Sequence, residues 1–171
     1  MDTPMNTPMN TKTRQKTLRL LSNGVYVLTS SAADHLGVAT VTWVSQASFK
    51  PPLLMAAVRK NSNVFRCLAE SRVAALHILG SDQREVAQKF FSPTKGQTKG
   101  NDGSLNGEPF TIGKTSAPIL KNIRAYVECR VIDIREQYGD HAVVVLEVIE
   151  AVCSEDFHPL TVADSPWEYG G

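Results

Sequence analysis

The run Val38 to Pro52, VATVTWVSQASFKPP, constrains the fold more than any other part of the chain. Its β-branched and aromatic residues suit a pleated strand better than a helix. Along a strand, successive side chains point to opposite faces. Thr40, Thr42, Gln46 and Ser48 therefore form one set, and Ala39, Val41, Trp43, Ala47 and Phe49 alternate with them. The second set reads as a core face. The first is a row of hydroxyl and amide groups, which either faces water or grips a polar ligand.

The rest of the chain decides what such a strand belongs to. With 171 residues, 42% of them hydrophobic and 20% charged, the chain is long enough for one domain with its own core. A net charge of +1 gives no field directed at nucleic acid or an anionic membrane. No apolar run approaches the roughly 20 residues that cross a bilayer. The first residues lack an apolar signal core, so a cytoplasmic protein is expected. Cys67, Cys129 and Cys153 are odd in number and lack CxxC spacing. Buried free thiols in a reducing compartment are the expectation.

Punctuation along the chain predicts mostly strands. Residues 3–10 repeat TPMN, and residues 1–12 read as a disordered tail. Thr13 to Leu21 reads as a short helix with Leu18 and Leu21 on one face. Gly24 to Ser30 is a strand, Asp34 to Gly37 a turn, and Leu53 to Val58 the strand after Pro51-Pro52. Asn63 to Glu70 is a helix capped by Asn61 or Ser62. Arg72 to Leu79 is a buried strand. Asp82 to Glu85 resembles a capping box opening a helix through Phe91. Ser92 to Pro109, with four glycines, reads as a long loop, either a lid or disordered. Ile123 to Ile134 and Ala142 to Val152 are strands joined by a hairpin turn at Gln137 to His141. Residues 13–155 form the domain, and 156–171 an irregular extension that packs on it or on a second copy. Many strands without regular βαβ alternation predict a mainly β chain, an antiparallel barrel or sandwich with short helices.

Two places carry candidate chemistry. Arg59-Lys60-Asn61-Ser62 joins a strand to a helix start, where free N–H groups, basic side chains and a hydroxyl suit an anion such as phosphate. The alternative is a solvated basic turn with a routine cap. Gly139-Asp140-His141 places an imidazole at the mouth of a hairpin, able to donate a hydrogen bond or to remain an exposed turn residue. The other histidines, His35, His77 and His158, share no spacing with it, and no metal-ligand pattern appears. GxSxG, P-loop, HExxH and GxGxxG motifs are missing, so hydrolase, nucleotide-triphosphatase and Rossmann templates find no support.

Taken together, Gly24-Val25, the TVTWVSQASFKPP run with its paired prolines, the RKNSNVF junction and the GDH before the last long strand resemble the flavin reductase-like family. The resemblance runs from about Leu18 to Val152. It implies an FMN-binding split barrel, antiparallel and of Greek-key type. It implies that Thr40, Thr42, Trp43, Val44, Ser45, Gln46, Ala47 and Ser48 lie along the flavin, and that Lys60, Asn61 and Ser62 hold its phosphate. His141 is expected near the flavin's reactive face, helping to seat a nicotinamide. The terminal SPWEYGG is similar to flavin reductase modules of diflavin and rubredoxin-linked proteins.

The implied activity is hydride transfer from NADH or NADPH to FMN, with FAD as the other flavin, and delivery of reduced flavin to an oxygenase. An electron carrier that retains FMN, or a non-enzymatic FMN-binding protein, is the alternative. A homodimer, with Ala142 to Ile149 at its interface, is expected. Hydride transfer is a positioning task performed with the cofactor's own electronics, so no nucleophile or acid–base pair is needed.

Overall fold

The computed structural model describes residues 8–92 and 104–170. One antiparallel sheet dominates it. Its strands are β1 (Tyr26–Ala32), β2 (His35–Val41), β3 (Val44–Ser48), β4 (Leu53–Arg59), β5 (Val73–Ile78), β9 (Ala125–Arg135) and β10 (His141–Cys153). They lie in the order β2-β1-β5-β9-β10-β4-β3. A second sheet joins β6 (Ser104–Leu105), β7 (Glu108–Ile112) and β8 (Pro118–Leu120). The helices are α1 (Thr11–Leu18), α2 (Asn63–Ser71) and α3 (Arg84–Lys89).

The long strand expected over Val38 to Pro52 is two strands. β2 ends at Val41 and β3 starts at Val44, and these are the two edges of the seven-stranded sheet. Only Thr42 and Trp43 carry the chain from one edge to the other. Two extended residues span about 7 Å, so the sheet must roll until its edges nearly meet without pairing. The result is a barrel left open along one seam, and Trp43 O accepts from Ala57 N–H at 2.9 Å, extending the β3–β4 pairing by one residue into the crossing.

Strand alternation then builds two cores. Leu28, Ala39 and Val41 point into a cluster with Ala56, Val58, Val144 and Leu146. Val27, Leu36 and Val38, one residue out of step, join Val25, Phe90, Leu120 and Leu160 on the other face. Thr40 shares that second face. Its hydroxyl donates to Ala87 O at 2.6 Å, so the supposedly polar face of this strand is covered by α3. Past the break the expected core face fails, because Phe49 is 91% exposed and Ala47 is exposed on edge strand β3.

Helix α2 fills the first core with Val64, Phe65 and Leu68. Burying a side chain the size of Leu68 is worth about 2 kcal/mol. Ser62 caps the helix as expected, accepting from Phe65 N–H at 3.2 Å. The helix lies so close to β2 that a Cβ on Gly37 would sit 2.5 Å from Val64 Cα. His77, fully buried on β5, ties the small sheet to the large one. Its Nδ1 lies 3.0 Å from Val27 O, and its Nε2 accepts from Leu120 N–H at 3.0 Å.

Several local expectations are corrected. α1 starts at Thr11, inside the expected tail, and buries nothing, since Leu18 and Leu21 are exposed. The capping box does not form. Gln83 is the N-cap of α3 but its side chain bonds Gly80 and Asn122, not the helix, and Asp82 instead pairs with Arg124. The segment from Ser104 onward is sheet where a loop was expected. The lid or disorder expected for Ser92 to Pro109 otherwise lies largely on 93–103, outside the described residues. Cys67 and Cys129 are buried, but Cys153 is exposed.

Candidate functional site

A cleft of about 520 Å³ opens at the barrel seam. Its floor is apolar, from Val25, Ala39, Val41 and Val58. Of the residues expected from the sequence, Thr40, Thr42, Trp43, Ser62 and His141 line it. The two-residue crossing between the sheet edges places Thr42 and Trp43. Pairing of His141 with Arg59, at the ends of β10 and β4, places both of those.

Thr42 is the most informative of these residues. Its Oγ1 is buried and has no hydrogen-bond partner among the described residues. A buried hydroxyl left unpaired costs about 1–3 kcal/mol. Such an atom beside a cleft marks a place where a ligand can supply the missing partner.

His141 is only 14% exposed in its side chain, and its Nδ1 lies 2.7 Å from Asp140 Oδ1. That bond holds the Asp140 carboxyl below its usual range, with the imidazole's charge as the next cause. It also assigns Nδ1 as the hydrogen-bearing nitrogen, leaving Nε2 free. The Trp43 and His141 rings lie 4.8 Å apart at 52°.

The basic junction divides its duties differently from the expectation. Lys60 Nζ donates to Gly139 O at 2.7 Å, and Lys60 N–H to Asp140 O at 3.1 Å. Lys60 thus fixes the hairpin that presents His141. Ser62 donates its hydroxyl to Arg59 O at 2.7 Å while capping α2. Arg59 is the cation that lines the cleft, and its guanidinium makes no hydrogen bond to a described residue. Lys60 and Asn61 do not line it, nor do Val44, Ser45, Gln46, Ala47 and Ser48. The break at Thr42–Trp43 sends those five along the far edge of the sheet, where Ser45, Gln46 and Ala47 are exposed.

Sequence reasoning missed part of the cleft. Phe90 and Phe91 line it from the end of α3, and Trp167, Glu168 and Tyr169 from the C-terminal segment. Trp167 meets Phe91 edge-on at 4.8 Å, and Tyr169 lies 5.9 Å from Trp43. One signal was present. An irregular, solvated tail has no reason to carry two large aromatic residues within three positions.

The residues present fit a flavin nucleotide. An apolar slot with aromatic edges suits a flat ring, the Thr42 hydroxyl awaits a polar edge, and Arg59 beside the capped N-terminus of α2 suits a phosphate.

Comparison with known proteins agrees. A family model described as flavin reductase like domain matches residues 18–168. A diflavin flavoprotein of Synechocystis is 30% identical over 134 residues, 78% of this chain and 23% of that protein. The reductase component of a 4-nitrophenol monooxygenase from Rhodococcus opacus is 30% identical over 133 residues, 76% of this chain and 65% of its own length. The chain therefore spans less than two thirds of both these curated relatives. Among solved structures, a flavin reductase domain protein from Arthrobacter superposes with a TM-score of 0.74 at 25% identity, covering 88% of this chain and 89% of its own. A rolled antiparallel sheet with an open seam, a cleft at that seam and a family match along most of the sequence make this chain a member of the flavin reductase-like family.

Proposed function

We propose that the chain is an NAD(P)H-dependent flavin reductase. It binds FMN, with FAD as the other flavin, transfers hydride to it from NADH or NADPH, and supplies reduced flavin to a separate oxygenase. The carrying observation is the convergence of the unpartnered Thr42 hydroxyl, Trp43, His141 and the Arg59–Ser62 junction on one apolar cleft. The Rhodococcus relative, by its name the reductase component of a monooxygenase, supports an oxygenase partner.

Bound flavin would supply the hydride-accepting chemistry. The chain's part is to bind and orient. Thr42 offers a hydrogen bond to the ring or ribityl chain, and Arg59 with the N-terminus of α2 receives the phosphate. His141, fixed by Asp140, presents Nε2 to the nicotinamide carboxamide. The apolar floor excludes water from the reacting rings.

A homodimer completes the reading. Edge strand β3 presents Val44 to Ser48 outside the cleft of its own chain. On the outward side of the neighbouring strands, Met55 and Val143 are exposed. Within the expected interface run, Ala142, Val144 and Leu146 are buried in their own core, so Val143, Val145 and Ile149 are its outward members. A second copy covering this face would bring Val44–Ser48, Lys60 and Asn61 toward a shared flavin site. Residues 13–155 would be the flavin-binding domain and 156–171 its extension, in a cytoplasmic protein. No helix among the described residues is long and apolar enough to cross a membrane.

Anaerobic mixing of FMN-loaded protein with NADH or NADPH tests the proposal. Rapid bleaching of the flavin absorbance, followed by loss of flavin on filtration, is the expected result. Bleaching with flavin retained supports instead an electron carrier that holds FMN, a reading favoured by the aromatic segment beside the cleft. Flavin that binds but stays oxidised refutes both and leaves a binding protein.

A further inference from the structure

We propose that Trp167 and Tyr169 are flavin-contacting residues, and that Arg19 positions them, so that the C-terminal segment sets the rate at which flavin leaves the cleft. The inference rests on the flavin-binding reading above and names cleft residues beyond it.

The segment is anchored firmly at one end and lightly at the other. Leu160 is fully buried, its N–H donating to Leu79 O at 2.8 Å and its carbonyl accepting from Val25 N–H at 2.9 Å. Val162 N–H donates to Asn23 O at 2.8 Å, and Arg84 holds Asp164 O at 2.6 Å. Beyond Asp164, every hydrogen bond to another element among the described residues comes from Arg19. Its Nε donates to Gly170 O at 3.1 Å, and its guanidinium pairs with Glu168 at 3.2 Å. Both ion-pair partners face solvent, so the pair is weak and yields easily.

Between these anchors, Trp167 and Tyr169 turn toward the cleft. Tyr169 continues the ring contacts that run from His141 through Trp43. Trp167 packs on Phe91 and the second core. An aromatic wall with a firm root and a weak latch closes over a planar ligand and reopens without unfolding anything else. Flat rings in such a cleft gain stacking contact from that wall, and the ligand leaves only when the wall swings out.

The chain's only tryptophans, Trp43 and Trp167, both line the cleft, so intrinsic fluorescence reports its occupancy. The test is the dissociation rate of FMN after rapid dilution of loaded protein, followed by recovery of flavin and tryptophan fluorescence. Tyr169→Ala is expected to speed release about tenfold and Arg19→Glu about fivefold. Arg19→Lys should stay near the unsubstituted rate, and Arg19→Glu combined with Glu168→Arg should return to within twofold of it. A purely structural role for Arg19 would not be rescued by the exchanged pair. Rates for Tyr169→Ala and Arg19→Glu both within twofold of the unsubstituted chain overturn the proposal, as does failure of the exchanged pair to restore release. If the unsubstituted chain takes up no FMN at all, the flavin reading fails first and this inference falls with it.

Discussion

Lowering the pH should loosen the joint between the two sheets through one residue, His77. The ring is fully buried, donates through Nδ1 to Val27 O and accepts at Nε2 from Leu120 N–H. Protonation would turn that acceptor into a donor aimed at another donor, in a fully buried site. Burial accordingly pushes the imidazole down to about 4, against an ordinary value of 6.5, with the bond to Val27 opposing it. The unfolded chain therefore takes up a proton between these two values while the folded chain does not. Stability is full above about pH 7 and falls as pH drops through 6.5 toward 4. The whole gap corresponds to about 3 kcal/mol, and about 2 kcal/mol of it is lost between pH 7 and pH 5. For a chain of this size that lowers the melting temperature by about 4–8 °C. The comparison is with His77→Gln, which can still accept from Leu120 N–H but has no proton to gain. Urea unfolding of both proteins at pH 7, 6 and 5 should show the wild type losing about 2 kcal/mol more than the variant. Parallel profiles would refute the reasoning. Leu120 shares a core with Phe90, which lines the cleft, so ligand affinity should weaken over the same pH window.

Two substitutions probe the cleft more directly, and a third probes the packing of α2 on β2. Thr42→Val removes a hydroxyl with no partner. It should stabilise the ligand-free chain by about 1 kcal/mol yet weaken FMN binding about fivefold, as read by thermal melting and fluorescence titration. His141→Ala should raise the KM for NADH about tenfold and leave the FMN Kd within twofold, and equal loss of both would defeat its assignment to the nicotinamide. Gly37→Ala places a Cβ against the backbone of Val64. It should cost about 2–3 kcal/mol in urea unfolding, and an unchanged midpoint would show that α2 can move aside.

Much of the molecule follows local rules that a sequence displays. The Ser62 cap and the apolar stripe Val64, Cys67, Leu68 define α2 within itself. The run around Gly139 turns β9 into β10, and the β-branched residues of β1 and β10 and the apolar run of β4 are legible within their own segments. The candidate site was legible where its residues sit at such junctions, as Ser62 and His141 do. It was illegible where side-chain direction depends on a distant partner. Thr40 and Thr42 look alike in the sequence, yet the Thr40 hydroxyl bonds Ala87 O and that of Thr42 bonds no described residue. Nothing near Lys60 in the sequence shows that its Nζ donates to Gly139 O, 79 residues further along the chain.

Sequence alone thus determined most element types, the mainly β antiparallel class and the chemistry of the long run, because β-propensity, turn residues and caps act over a few neighbouring positions, while the open barrel was implied by the family resemblance. Tertiary structure alone decided that the run breaks at Thr42–Trp43, that one hydroxyl is left unpaired beside the cleft, and that Trp167 and Tyr169 form a wall of it. Those outcomes depend on where the sheet's edges meet as it rolls. That geometry arises from strand pairings between residues far apart in the chain, such as His141 with Arg59 and Tyr26 with Ile78, which no short window of sequence contains.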